Sequence, residues 1–180
     1  MDAPTLVVIT GFMGCGKSVV ARLLADSLDV ASIDLDEIIT EQEGKSPARI
    51  INEDGEKQFR LLETKHLRNI LQHYTCAVIA LGGGAWINER NRELINATPA
   101  VTVWIDTPFD LCWRRIEASG PNRPLGSTRE QARALYEKRR ATYGLAPIRV
   151  RTNGNMSQDL VANIVAAALR ENSPSQKETH

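Results

Sequence analysis

Eight consecutive residues constrain this chain more than any others. Gly11 to Ser18 read Gly-Phe-Met-Gly-Cys-Gly-Lys-Ser. This is the G-x-x-x-x-G-K-[ST] spacing, set between an apolar run, Leu6–Ile9, and a stretch of helical periodicity. A turn this rich in glycine can fold its backbone tightly, because no Cβ clashes. Its N–H groups and the positive end of the next helix form a cradle for phosphate. Lys17 can reach terminal phosphates, and the Ser18 hydroxyl can coordinate Mg²⁺. A chance glycine turn would not bring the lysine, the serine and both flanking elements together.

The rest of the chain supplies the scaffold that such a loop needs. Short apolar runs at 6–10, 31–34, 77–81, 101–105 and 148–151 read as strands. Helical patterns lie between them at 17–28, 36–43, 47–53, 56–73, 88–96, 108–118 and 129–142, and a last one covers 157–170. Alternation of strand and helix predicts an α/β fold, a parallel sheet with helices on both faces. Ligands then sit at the carboxyl ends of the strands. Residues 1–171 read as a single domain, and 172–180 as a frayed polar tail. Two connections are too long to be plain turns. Residues 35–64 carry short helices, and residues 119–128, Ser-Gly-Pro-Asn-Arg-Pro-Leu-Gly-Ser-Thr, combine turn formers with a central arginine. Beside an anion site, the second suggests a lid, although a surface turn has the same composition.

Composition excludes several classes. The net charge is zero, so bulk attraction to nucleic acid or to an anionic membrane is not expected. No apolar run approaches the roughly 18 residues of a membrane span. Three cysteines, Cys15, Cys76 and Cys112, have no metal-site spacing and suit reduced thiols in a cytoplasm. The three histidines form no H-x-x-x-H pair, which argues against zinc. Charge is uneven along the chain. Residues 26–63 hold eleven acids and four bases, whereas residues 114–151 hold ten bases and three acids. Either third could be a solvated helix face, but beside a phosphate loop the basic one is also a candidate anion clamp.

The chemistry gathers at strand ends. The second strand closes on Asp34-Leu35-Asp36, and both carboxylates face one way if the strand persists. Like charges so close need a cation or a proton to relieve them. The third strand ends in Gly82-Gly83-Gly84 rather than an acid, so Asp34 is the candidate carboxylate for Mg²⁺; helix capping is the plainer alternative for this pair. Three glycines in a row mark close backbone approach. In Phe59-Arg60-x-x-Glu63, Arg60 and Glu63 share a helix face and can pair, and a buried pair would present the guanidinium to a carboxylate. Cys15 lies beside a helix N-terminus, where a thiol can be activated. Its oxidation would then block nucleotide binding, unless it is only a small filler.

Taken in order, these motifs resemble the shikimate kinase family over nearly the whole length. The family's phosphate loop is matched by Gly11–Ser18, its D-x-D by Asp34 and Asp36, and its F-R-x-x-E by Phe59, Arg60 and Glu63. Its triple glycine is matched by Gly82–Gly84, its R-P-L lid motif by Arg123-Pro124-Leu125, and its R-x-x-x-Y by Arg139 and Tyr143. The resemblance implies a P-loop kinase fold with strand order 2-3-1-4-5, a helical substrate-binding insertion at about 35–64 and a lid at about 119–128. It implies transfer of the γ-phosphoryl of ATP to the 3-hydroxyl of shikimate in aromatic amino acid biosynthesis, by a cytoplasmic monomer with Mg²⁺. Lys17, Asp36 and Arg123 would be catalytic. ATP would contact Gly11, Met13, Gly14, Cys15, Gly16, Lys17, Ser18, Val19, Arg115 and Arg123, with adenine near 153–157. Shikimate would contact Asp36, Arg60, Gly82, Gly83, Gly84 and Arg139, with Glu63 in support. Ser18 and Asp34 would hold the metal.

The chain departs from the family pattern at Val19, where threonine is common, and at Gly126, where a second leucine often follows R-P-L. Arg139 and Arg140 are adjacent, and only the spacing to Tyr143 selects Arg139. Other readings remain open on the residues alone: a gluconate or nucleoside monophosphate kinase of the same fold, or a nucleotide switch without turnover. The absence of N-K-x-D and D-x-x-G disfavours a guanine switch. A nucleic-acid binder would interleave aromatics with the basic third, where only Tyr136 and Tyr143 lie within residues 119–151.

Overall fold

The computed structural model describes residues 6–119 and 128–171. Five strands form one parallel sheet in the order β2-β3-β1-β4-β5. They are β1 Leu6–Thr10, β2 Ala31–Asp34, β3 Ala77–Ala80, β4 Val101–Asp106 and β5 Ile148–Arg151. The register places Val8 beside Ile79 on one side and Thr102 on the other. β1 and β3 are buried along their whole length, as a sheet covered on both faces requires.

Among the described residues the helices are α1 Lys17–Leu28, α2 Leu35–Glu43, α3 Pro47–Asp54, α4 Glu56–His73, α5 Glu89–Asn96, α6 Phe109–Ala118, α7 Arg129–Tyr143 and α8 Gln158–Glu171. A single 3₁₀ turn, Ala85–Ile87, follows the triple glycine; no periodicity in the sequence marked it. Elsewhere the expected boundaries hold to within a residue or so, because capping chemistry sets them. Asp34 caps α2 by accepting from the N–H groups of Asp36 and Glu37. Ser46 caps α3 ahead of Pro47 at the first turn. Thr128 and Gln131 form a reciprocal capping box at α7.

The core lies on both sides of β1. Val20, Ala21, Leu24 and Ala25 line the buried face of α1, which packs on β2, β3 and α8. Trp104 and Tyr143 stack with ring centroids 6.1 Å apart, joining β4 to α7. α4 packs against α2, α3 and α5, so the long second connection is a helical layer rather than a loop. The expected lid overlaps the described residues only at Ser119 and Thr128. Arg123, Pro124, Leu125 and Gly126, like the tail 172–180, lie outside them.

Candidate active site

The phosphate loop leaves the central strand. β1 has β3 on one side and β4 on the other, so the crossovers diverge there and open a crevice at its carboxyl end. Gly16 starts α1 with φ 100°, a left-handed conformation that glycine adopts without penalty. The first turn of α1 has no side-chain cap, whereas Asp34, Ser46, Asn88 and Thr128 cap α2, α3, α5 and α7. The positive end of α1 is thus left to an incoming anion.

The Lys17 ammonium donates to the Phe12 carbonyl at 3.0 Å and lies 3.9 Å from the Cys15 sulfur, bridging the two limbs of the loop. The back of the loop is tied down. Arg115 of α6 donates to the carbonyls of Gly14 and Cys15 at 3.2 and 3.3 Å. The Thr107 hydroxyl donates to Cys15 O at 3.3 Å and lies 2.7 Å from the Thr152 hydroxyl. Thr107 and Thr152 were missed from the sequence, since nothing in threonine at a strand end marks it as a brace. Cys15 is buried, packed as the filler reading expects. Val19 is exposed on the first turn of α1.

Asp34 and Asp36 do not point the same way, because β2 ends at Asp34 and Asp36 already belongs to α2. The two acids divide. Asp34 turns to the phosphate loop, where the Ser18 hydroxyl donates to its Oδ2 at 2.5 Å while Oδ1 caps the helix. Capping and loop contact therefore coexist on one side chain. Asp36 turns into a cavity of about 660 Å³ beside the triple glycine. A Cβ on Gly82 would lie 2.6 Å from Asp36 Oδ1, so any side chain there would displace the carboxylate.

The same cavity gathers the acid-gripping residues proposed from sequence. Arg60, Glu63, Gly82, Gly83, Gly84 and Arg139 all line it. The face of α3 from Ser46 to Glu53 forms another wall that single-residue reasoning did not assign. Arg60 Nη1 donates to both Glu63 oxygens at 2.9 and 3.0 Å, and Nη2 donates to Glu56 at 3.1 Å. Glu63 is fully buried. Burial pushes its carboxyl up to about 7, against the pull of Arg60. A Cβ on Gly84 would meet the Arg60 guanidinium at 2.5 Å.

Arg139 donates to the Gly83 carbonyl at 3.1 Å, and the Tyr143 hydroxyl donates to the same oxygen at 2.5 Å. Arg140 has a different task. It donates to Asp106 at 3.2 Å and to the Tyr136 hydroxyl at 2.7 Å, while Arg149 clamps the other Asp106 oxygen. The choice left open by the two adjacent arginines is thus resolved geometrically, with Arg139 in the cavity and Arg140 in a brace between α7 and β4.

The cavity abuts the phosphate loop. A Cβ on Gly83 would lie 3.3 Å from the Met13 backbone N, and Met13 lines the cavity itself. Met13, expected on the nucleotide side, thus stands where the two sites meet. An anion lying along the loop would end next to a chamber in which Asp36 lies beside the Gly82 turn and Arg60 and Arg139 both line the wall, with Glu63 paired to Arg60. Among the described residues no group of three or more His, Cys, Asp or Glu side chains gathers as a metal cage. The Ser18–Asp34 pair offers two hard oxygens, the partial set that Mg²⁺ takes when phosphates and water complete its shell.

Comparison with known proteins agrees with this geometry. Residues 13–169 match the family model for shikimate kinase. A shikimate kinase of Geobacter metallireducens is 38% identical over 161 residues, covering 88% of each chain. One from Persephonella marina is 33% identical over 159 residues, 88% of this chain and 96% of its own. A solved shikimate kinase from Acinetobacter baumannii, in complex with shikimate, superposes with a TM-score of 0.85 at 29% identity, over 95% of this chain and 96% of that one. A match running from inside the phosphate loop to the last helix, shared with relatives covered almost end to end, means that the chain belongs to the shikimate kinase family.

Proposed function

We propose that the protein transfers the γ-phosphoryl group of ATP to the 3-hydroxyl of shikimate, giving shikimate 3-phosphate and ADP on the route to chorismate and the aromatic amino acids. One observation carries the reading beyond family membership. A cavity holding Asp36, Arg60 and Arg139 opens against the phosphate loop at Met13 and Gly83, so an acid and a nucleotide can bind end to end.

In this reading the nucleotide's phosphates lie along Gly11–Ser18 and the shikimate carboxylate lies between Arg60 and Arg139. The hydroxyls then face Asp36. The 3-hydroxyl oxygen bonds to the γ-phosphorus as the bond from that phosphorus to the β-phosphate oxygen breaks. The hydroxyl proton passes to Asp36. Lys17 and Arg123 spread the negative charge of the transferred group. Such a reaction needs positioning and charge neutralisation more than covalent help, and the pinned loop and paired guanidinium supply positioning. Mg²⁺, held by Ser18 and Asp34, would add neutralisation at the β- and γ-phosphates when bound. Arg115 and residues 153–157 are assigned to the adenosine end, and residues 119–128 to a lid. The free thiols of Cys15, Cys76 and Cys112 suit a reducing cytoplasm, to which we assign the protein as a monomer with one domain over residues 1–171. No helix among the described residues is long and apolar enough to cross a membrane.

The test is ADP release by the purified protein with ATP and Mg²⁺, with and without shikimate, beside gluconate and nucleoside monophosphates. The expected result is turnover with shikimate alone. Equal turnover without shikimate, or preference for another acceptor, would overturn the assignment. Light scattering checks the monomer.

A further inference from the structure

On the far side of Arg60 lies a second cavity, of about 410 Å³, that the proposed reaction does not use. Lys57, Leu61, Thr64 and Arg68 recur at helical spacing along one stripe of α4, and Asn88 and Arg90, at the start of α5, face them. The floor is polar and already satisfied. Asn88 donates to the Thr64 hydroxyl at 3.3 Å and accepts from the Arg90 N–H at 3.1 Å. The walls are cationic. Among the described residues Lys57, Arg68 and Arg90 form no salt bridge. The acids touching this face are engaged, Glu56 with Arg60 and Glu43 with Lys65 and His66, while Glu89, exposed in the first turn of α5, offsets one charge. Lys57 stands at i,i+3 from Arg60 and Arg68 at i,i+3 from Lys65, and among the described residues only Arg60 and Lys65 of these four have acids beside them. Leu61 leaves 56% of its surface exposed in the middle of this array.

We propose that this groove is a second anion site, for a small phosphate monoester whose phosphoryl group sits between Arg68, Arg90 and Lys57 and whose carbon skeleton covers Leu61. A phosphate monoester carries about −1.5 to −2 charge at pH 7 and offers three acceptor oxygens, matching the unpaired cations. A volume of this size holds a molecule of a few carbons. The groove is coupled to the substrate cavity, because Arg60 lines both. One edge of its guanidinium serves Glu63 inside and another serves Glu56 outside. An anion in the groove draws on the same guanidinium and weakens its hold on the acid. This effect, unlike the binding itself, rests on the function proposed above.

Binding is measured first, by calorimetry with the full-length protein saturated with MgADP, so that the phosphate loop is occupied. Inorganic phosphate and glycerol 3-phosphate are the two probes. Saturable one-to-one binding is expected, at least tenfold weaker in Arg68→Ala/Arg90→Ala. Tighter binding of glycerol 3-phosphate assigns the groove to an organic phosphate, and equal binding assigns it to the free ion. Lys57→Gln is a second variant with the same expectation, and its neutral amide adds no anion beside Arg60. The KM for shikimate at saturating ATP should then rise severalfold with the probe in the wild type and stay constant in the variants, whose values without probe are unchanged. No saturable binding, or equal binding in wild type and both variants, overturns the site. Binding without any change in KM overturns the coupling through Arg60. Absence of shikimate turnover in untreated wild type would instead refute the proposed function and leave the calorimetry to judge the groove.

Discussion

Arg139 and Arg140 are neighbours with opposite orientations, and their substitutions should separate cleanly. In the binding mode proposed above, Arg139→Ala removes a charge-assisted contact to the acid, worth about 1.5–3 kcal/mol. The KM for shikimate should rise roughly ten- to hundredfold, with the KM for ATP nearly constant, as steady-state kinetics would show. Arg140→Ala should instead lower the melting temperature and spare the KM, since its partners are Asp106 and Tyr136. Glu63 supplies a pH signature. Its folded value of about 7 lies above the ordinary 4.5. The stability it contributes is therefore fully present below about 4.5 and is lost as pH rises through about 7. Relative to Glu63→Gln, the wild type should lose melting temperature across that window. Its kcat/KM for shikimate should bend near pH 7, and the variant's should not. Much of this could be read from the chain, since arginine and glutamate three apart on a helix announce a pair. Which of two adjacent arginines faces the cavity could not, because helix phase relative to a neighbouring loop depends on packing that no local pattern encodes.

The triple-glycine turn shows how an element is shaped by its surroundings. Gly82 leaves room for a carboxylate and Gly84 for a guanidinium, while α7 holds the carbonyl between them with two donors. Gly84→Ala should push the end of Arg60 aside, a flexible group that can yield. We expect a severalfold loss of shikimate affinity with little change in melting temperature, measured by calorimetry and thermal denaturation. The strands and helices were legible because periodicity and caps are local. The 3₁₀ turn at Ala85–Ile87 and the Thr107–Thr152 brace were not, since both arise from long-range contacts. The condition for Asp34 and Asp36 to share a side, a strand persisting to residue 36, is not met for a related reason. A capping aspartate ends the strand, so period-two alternation stops two residues short of Asp36.

Taken together, the two half-sites join elements from most of the chain, so ligands should stabilise it globally. At a hundred times its dissociation constant a ligand adds about 2.7 kcal/mol. For a protein of this size that is a rise in melting temperature of roughly 5–10 °C. MgADP should produce such a rise and shikimate a second one, whereas Lys17→Met should abolish the first and retain the second.

The strand order has a consequence for how the protein is made. β1 and β2 are early in the chain but never touch, because β3, more than forty residues further on, must slide between them. A nascent chain that has emerged only as far as α4 therefore owns two strands and no ladder to join them. Its anion-binding turn hangs on a strand with neither flank in place. Nucleotide can find a competent pocket only after the ribosome has delivered the insert, and a truncated product ending at Tyr74 should show rapid amide exchange throughout its would-be strands.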